Sequence, residues 1–274
     1  MNFNLQYKLR CPNPHHPVED AVYAEGTAIA AFDGVTLLHQ DPYPIPSPAA
    51  EAATNGAKAA VRYVLSHIGE PSFMFKGFKA ASDAIKDVNE KHDITSETVD
   101  FLNVQYAAAV GALAVFASNT LYYAQINDCG VLVCRPDGEI IDNLITDKTN
   151  VGEYLGYIRK ERGFVAGSPE EHVFIRGQVV NNPNVFFNGS PLDDYVLTGE
   201  ILGVRGVHWR QREVTEPFKV IVYSDGFIPF LASNSFRCDI LNIDNESVAR
   251  EYVQRSRIQT QEFSEASLVI GSIN

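Results

Sequence analysis

Two stretches of helical spacing interrupt a chain otherwise built of short apolar runs closed by polar turns. The segment AAEAATNGAKAAVRYVLSH, Ala49 to His67, sets alanines and valines three and four residues apart, which predicts an amphipathic helix. Ser47 before it suits an N-cap, and Pro48 suits the first helical position. In FKAASDAIKDVNEKH, Phe78 to His92, the residues Ala81, Ile85 and Val88 form the apolar stripe of a second helix. The proline-rich stretch DPYPIPSP, Asp41 to Pro48, reads as a loop.

Strands are predicted at Ala21 to Phe32, which runs into Asp33-Gly34, at Tyr106 to Phe116 and at Leu121 to Ile126. Ser118 and Asn119 supply turn chemistry between the last two, making them a hairpin. Gly130 to Cys134 and Glu139 to Ile145 flank a second turn, Arg135-Pro136-Asp137-Gly138. Late in the chain KVIVY, Lys219 to Tyr223, runs into Ser224-Asp225-Gly226, and SLVIGSI, Ser267 to Ile273, is the final strand. Between Val151 and Arg212 the pattern weakens to a helix at Val151 to Arg162 followed by mixed loops. Short connections imply antiparallel pairing. Helices set between groups of strands imply an α+β class in which helices cover a sandwich of sheets.

Charge and composition narrow the functions open to such a fold. The 274 residues carry a formal net charge of −12. That surface repels polyphosphate backbones, so nucleic acid is not an expected partner. No run reaches the roughly 18 apolar residues of a membrane span, and the N-terminal MNFNLQYKLR has no apolar core of a signal peptide. Membrane partners are therefore not expected either. Cys11, Cys129, Cys134 and Cys238 form no C-x-x-C pair and no zinc spacing, and read as free thiols in a reducing cytoplasm. There is no G-x-S-x-G elbow, no phosphate-binding P-loop, and no Ser, Thr or Cys directly after Met1.

The candidate chemistry lies at two strand ends. AIAAF ends in Asp33-Gly34 and KVIVYS ends in Asp225-Gly226. A carboxylate at a buried strand end is costly without a cation or hydrogen-bond donors. A glycine after it permits positive φ and close approach of a carbonyl to an ion. Hard divalent ions take such oxygen ligands. Each dipeptide taken alone also reads as an ordinary Asp-Gly turn.

The order of segments resembles the protein phosphatase 2C family, the metal-dependent serine/threonine phosphatases, over nearly the whole chain. The family's Glu-Asp pair before a strand is matched by Val18-Glu19-Asp20-Ala21, and its first metal strand by Ala31-Phe32-Asp33-Gly34. LYYAQINDCG, with Asn127-Asp128-Cys129 at the turn, matches its apolar hairpin. Leu144 to Asp147, Val220 to Gly226 and SEASLVIGSI match its later elements. The resemblance implies a four-layer αββα sandwich in one domain over 1–274, with a variable flap at about 151–212. It implies hydrolysis of phosphomonoesters, phosphoserine and phosphothreonine in proteins, by water activated at two Mn²⁺ or Mg²⁺ ions. Asp33 would bridge both ions, with the Gly34 carbonyl on one, and Asp225 would hold the second. Glu19 and Asp20 would sit near the first through water, and Asp128 at an outer position.

Several positions depart from that pattern. Val35-Thr36-Leu37 follow Asp33-Gly34 where the family has more glycine, and Val35 stands where eukaryotic members have a His. His39 nearby reads as a solvated loop residue. His15 falls where the family's phosphate-binding Arg is expected. Ser264 falls on the position of a metal-binding Asp, with Glu265 next to it and Glu262 close by as carboxylates able to compensate. The insert carries Arg159, Arg162, Arg176, Arg205, Arg210 and Arg212, which either gather anionic substrate or make scattered surface ion pairs. Trp209 reads as a partner anchor or a half-buried core aromatic. These departures leave an alternative open, a non-catalytic pseudophosphatase that binds or regulates a partner.

Overall fold

The computed structural model describes residues 1–13, 18–35, 47–261 and 264–274. His15, His39 and Glu262 lie outside the described residues. In chain order the elements are β1 (Phe3–Cys11), β2 (Ala21–Glu25), β3 (Ala28–Gly34), α1 (Pro48–Ser66), α2 (Phe73–Lys91), β4 (Ala109–Ala117), β5 (Thr120–Ile126), β6 (Gly130–Cys134) and β7 (Ile140–Leu144). The insert holds α3 (Thr149–Arg162), α4 (Pro169–Phe174), a π-helical turn (Ile175–Val179) and the two-residue strands β8 (Phe186–Phe187) and β9 (Ser190–Pro191). Then come β10 (His208–Glu213), β11 (Phe218–Tyr223), α5 (Ile228–Leu231), α6 (Asn234–Leu241), α7 (Glu246–Thr260) and β12 (Ala266–Ile273).

Two five-stranded sheets, ordered β1-β12-β11-β6-β7 and β10-β5-β4-β3-β2, are antiparallel throughout. Strand alternation builds the layers. On β11, Val220 and Val222 face the second sheet, while Ile221 and Tyr223 face α6 and α7. The outer face of the second sheet lies under α1 and α2, where Ala53, Ala57 and Ala60 meet Phe78, Ala81 and Ile85. Small alanines allow the helices to approach the sheet closely, and the Phe32 ring stacks on Phe78 at 5.9 Å. The expected αββα sandwich is the fold observed.

The caps of α1 are as predicted: Ser47 Oγ accepts from Ala50 N, and Pro48 opens the helix. Asn119 and Ser118, both at positive φ, close the β4–β5 hairpin. Three readings are corrected. Ala21 to Phe32 is a hairpin rather than one strand, because Gly26 at φ +55° reverses the chain and Glu25 pairs with Ala28. The second helix begins at Phe73, where Phe73 and Met74 already bury their side chains. The region before Arg212 ends in β10, an edge strand exposed along its whole length, so no apolar alternation marks it. Trp209 lies on that edge, 47% exposed, outside the core. Unforeseen too is β1, which pairs with β12 and buries Tyr7, Leu9 and Cys11. All four cysteines are free thiols. Among the described residues no helix is long and apolar enough to cross a membrane.

Candidate functional site

Strand register gathers the acidic residues at one end of the sandwich. Ala21 pairs with Phe32, so Asp20, just before β2, comes opposite Asp33 near the end of β3. Gly111 of the next strand pairs with Ile126, which puts Asn127 and Asp128 beside the same end. In the other sheet Tyr223 pairs with both Gly130 and Leu268. Asp225 therefore leaves β11, and Glu265 precedes β12, on this side as well.

Hydrogen bonds fix the buried members. Ser224 Oγ donates to Asp20 Oδ2 at 2.7 Å and accepts from Ser267 N at 2.8 Å, tying the start of β2 to the paired ends of β11 and β12. Glu19, also buried, accepts from Ser47 Oγ at 2.7 Å, so the cap of α1 is linked to the site. Glu265 uses both carboxylate oxygens on backbone amides, Glu19 N at 2.9 Å and Asp20 N at 3.1 Å. Ser264 is exposed and offers its carbonyl to Arg257. Ser47, Ser224 and Ser267 were not expected as site residues; the Ser-Asp-Gly triplet was the only signal for Ser224.

The two glycines serve close approach rather than backbone reversal. Neither Gly34 nor Gly226 has positive φ, contrary to expectation. A Cβ on Gly34 would lie 2.7 Å from Ala49 O, and one on Gly226 would lie 2.0 Å from Glu265 O. Only glycine lets these chain segments press together.

The resulting electrostatics are strongly one-signed. Burial, then the Asp20, Asp225 and Asp128 carboxylates, push the Asp33 carboxyl well above the ordinary range. Burial and then Glu265 raise Asp20 to about 7, against the Ser224 hydrogen bond. The protein packed around Asp225, whose side chain still reaches water, raises it to about 6, with Asp128 adding to the effect. Burial raises Asp128 as well, opposed by Lys148. Asp20 and Asp33 each feel the other's carboxyl group, and Asp20 Oδ1 is buried with no donor among the described residues.

Oxygen donors, uncompensated negative charge and an orphaned buried carboxylate oxygen together fit a hard divalent cation. The site is short of a finished cage: among the described residues no three His, Cys, Asp or Glu side chains converge closely enough to hold a metal ion. Asp33, Gly34, Asp20, Asp128 and Asp225 all belong to this one end of the fold, as does Glu19. Glu265 is present too, with its oxygens occupied by amides.

The insert touches this end. Asn127, at φ +66°, donates to Asp194 Oδ1 at 3.0 Å and to Tyr195 O at 2.9 Å, and Lys148 Nζ reaches Asp194 Oδ1 at 2.6 Å. Of its arginines, Arg159 pairs with Glu171, Arg162 lies over the Phe174 ring at 4.5 Å, and Arg210 pairs with Asp142.

No family model matches the chain, and no curated protein matches it by sequence. Solved structures do. The serine/threonine phosphatase PstP of Mycobacterium tuberculosis superposes with a TM-score of 0.60 at 16% identity, covering 100% of this chain and 98% of that one. The PstP catalytic domain in complex with two manganese ions gives 0.56 at 18%, with coverages of 100% and 98%. The serine/threonine phosphatase Stp1 of Staphylococcus aureus gives 0.60 at 9%, with coverages of 100% and 96%. At these identities the likeness establishes the fold, and the fold is that of the protein phosphatase 2C type.

Proposed function

We propose that this chain is a metal-dependent phosphomonoester hydrolase acting on phosphoserine and phosphothreonine in proteins. The observation that carries the reading is the placement of Asp20, Asp33, Asp128 and Asp225 at one end of this sandwich, each with its carboxyl group raised by the surrounding protein, and Asp33 and Asp225 by neighbouring aspartates as well. Asp33 and the Gly34 carbonyl would hold one of two Mn²⁺ or Mg²⁺ ions, and Asp33 with Asp225 the second. When bound, such ions supply Lewis acidity, lowering the pKa of water and offsetting phosphate charge. The chain's part is positional. Ser224 and Ser267 orient Asp20, Glu265 pins the backbone of Glu19 and Asp20, and Ser47 holds Glu19. Asp128 adds a carboxylate at the outer edge, and His15 is assigned to the phosphate.

A non-catalytic binding module is the second reading, favoured by one specific observation. The position expected to carry an Asp is Ser264, and the adjacent Glu265 already satisfies two backbone amides. Hydrolysis of p-nitrophenyl phosphate with Mn²⁺, Mg²⁺ or chelator decides between them. Metal-dependent turnover that disappears in both Asp33→Asn and Asp225→Asn supports the enzyme. Folded protein inactive with every metal supports the binding module.

A further inference from the structure

Between the insert and the acidic end lies a cavity of about 500 Å³. Val35, two residues beyond Asp33, lines it and is hydrogen-bonded to Ala108, which also lines it; none of the site aspartates does. Phe101 and Tyr106, with ring centroids 6.3 Å apart and edge to face, line it together with Val180 and Val196. Among the described residues its one cation is Arg176; its one carboxylate is Glu200, which accepts from Tyr106 OH at 3.2 Å.

The position of Arg176 is built, not incidental. It sits in the π-helical turn, closed by the wide bond from Val180 N to Ile175 O at 3.0 Å. Such turns are rare and recur at functional positions. The next residue, Gly177, passes the Phe101 ring so closely that a Cβ would lie 3.3 Å from it. Among the described residues the Arg176 guanidinium has no hydrogen-bond or ion-pair partner; only the fields of Asp194 and Asp128 reach it, and Asp194 is already engaged by Lys148 and Asn127. A guanidinium keeps its charge and five donors under these conditions. Arg176 is half-buried, so its donors reach the water of the cavity and stay open to an anion placed against them.

We propose that this cavity binds a small organic anion, its phosphonate, phosphate or carboxylate group on Arg176 and its apolar body between Phe101, Tyr106, Val180 and Val196. The cavity volume is in the range that encloses a small molecule, and its lining mixes the apolar Phe101, Val180 and Val196 with the polar Gln105, Asn181, Thr198 and Glu200. The inference goes beyond phosphatase activity, because neither the cavity nor Arg176 requires metal or turnover.

The test is calorimetric titration of the full chain, in chelator, with phenylphosphonate, benzoate, inorganic phosphate and benzyl alcohol. Phenylphosphonate should bind at least tenfold more tightly than either inorganic phosphate or benzyl alcohol, each of which carries half of the recognition; benzoate reports whether a carboxylate substitutes. Arg176→Met should weaken phenylphosphonate binding about tenfold or more, the loss of a charge-assisted hydrogen bond. Val180→Trp, which fills the cavity from its rim, should remove the phenyl advantage and leave any inorganic phosphate binding unchanged. Unaltered phenylphosphonate affinity in folded Arg176→Met, or no binding of any probe by the natural chain, overturns the proposal. If Arg176→Met does not fold, the Val180→Trp result decides alone. Chelator removes any role for divalent ions, so a chain that binds phenylphosphonate yet never turns over a phosphomonoester would keep this inference and refute the proposed function.

Discussion

Asp20 gives the most direct test of the electrostatics. Its side chain is 2% exposed, its carboxyl is raised from the ordinary 3.8 to about 7, and the largest cause is burial. Three powers of ten in proton affinity correspond to about 4 kcal/mol. The sign follows from proton counting. Between pH 4 and pH 7 the folded chain holds the Asp20 proton and the unfolded chain has lost it, so the folded state binds more protons and stability falls as pH rises. In chelator, urea unfolding should therefore show the chain losing about 3 kcal/mol between pH 4.5 and pH 8. Asp33, raised by burial and by Asp20, adds in the same direction. Asp20→Asn keeps an acceptor for Ser224 Oγ but removes the charge, and its unfolding free energy should change far less with pH. A flat or rising stability curve for the natural chain over that interval, with the usual two-state slope, would refute the reasoning. So would an Asp20→Asn curve parallel to it.

Three further outcomes are expected. Phe78→Ala should cost about 3–5 kcal/mol in urea unfolding, since Phe78 is fully buried and stacked on Phe32, the residue before Asp33. Gly226→Ala should destabilise by more than about 2 kcal/mol and weaken Mn²⁺ binding in calorimetry, because the new Cβ would collide with Glu265 O at 2.0 Å. Ser264→Asp should tighten Mn²⁺ binding by about tenfold, at roughly 1.4 kcal/mol per tenfold; no change would mean that the position does not face the carboxylates.

Legibility in the sequence tracked burial on one face. Where one side of an element is buried and the other is not, as in α1 and the β4–β5 hairpin, period and caps were readable from residues alone. β10 was not, because HWRQRE is solvated on both faces and its pairing with β5 rests on backbone bonds that leave no side-chain pattern. β1 did alternate, with Phe3, Leu5, Tyr7, Leu9 and Cys11 on odd positions, but a shift of register between Leu5 and Tyr7 leaves Leu5 exposed and breaks the burial rhythm. In the site, the aspartates were visible because each ends or precedes an apolar run. Ser224 and Ser267 were not, since a buried serine becomes legible only once the strand that brings its partner is placed. Arg176 was visible only as one basic residue among six in the insert; that it makes no ion pair among the described residues shows only once the insert is folded.

Glu265 is where the competing accounts of the site separate most sharply. As a metal ligand it would have to release Glu19 N and Asp20 N, leaving two amides to find other acceptors at the start of β2. Losing a hydrogen bond between a charged group and a buried amide costs about 1.5–3 kcal/mol. A cation bound by Asp33 and Asp225 alone avoids that loss and leaves Glu265 as a brace for the backbone of Glu19 and Asp20. Glu265→Gln separates the two roles: Gln can still accept one of the amide bonds but contributes no charge to a cation. If Glu265 is a brace, the variant should lose modest stability, about 1 kcal/mol, and keep Mn²⁺ affinity within about threefold. If it is a ligand, Mn²⁺ affinity should fall tenfold or more, with the same modest loss of stability in chelator.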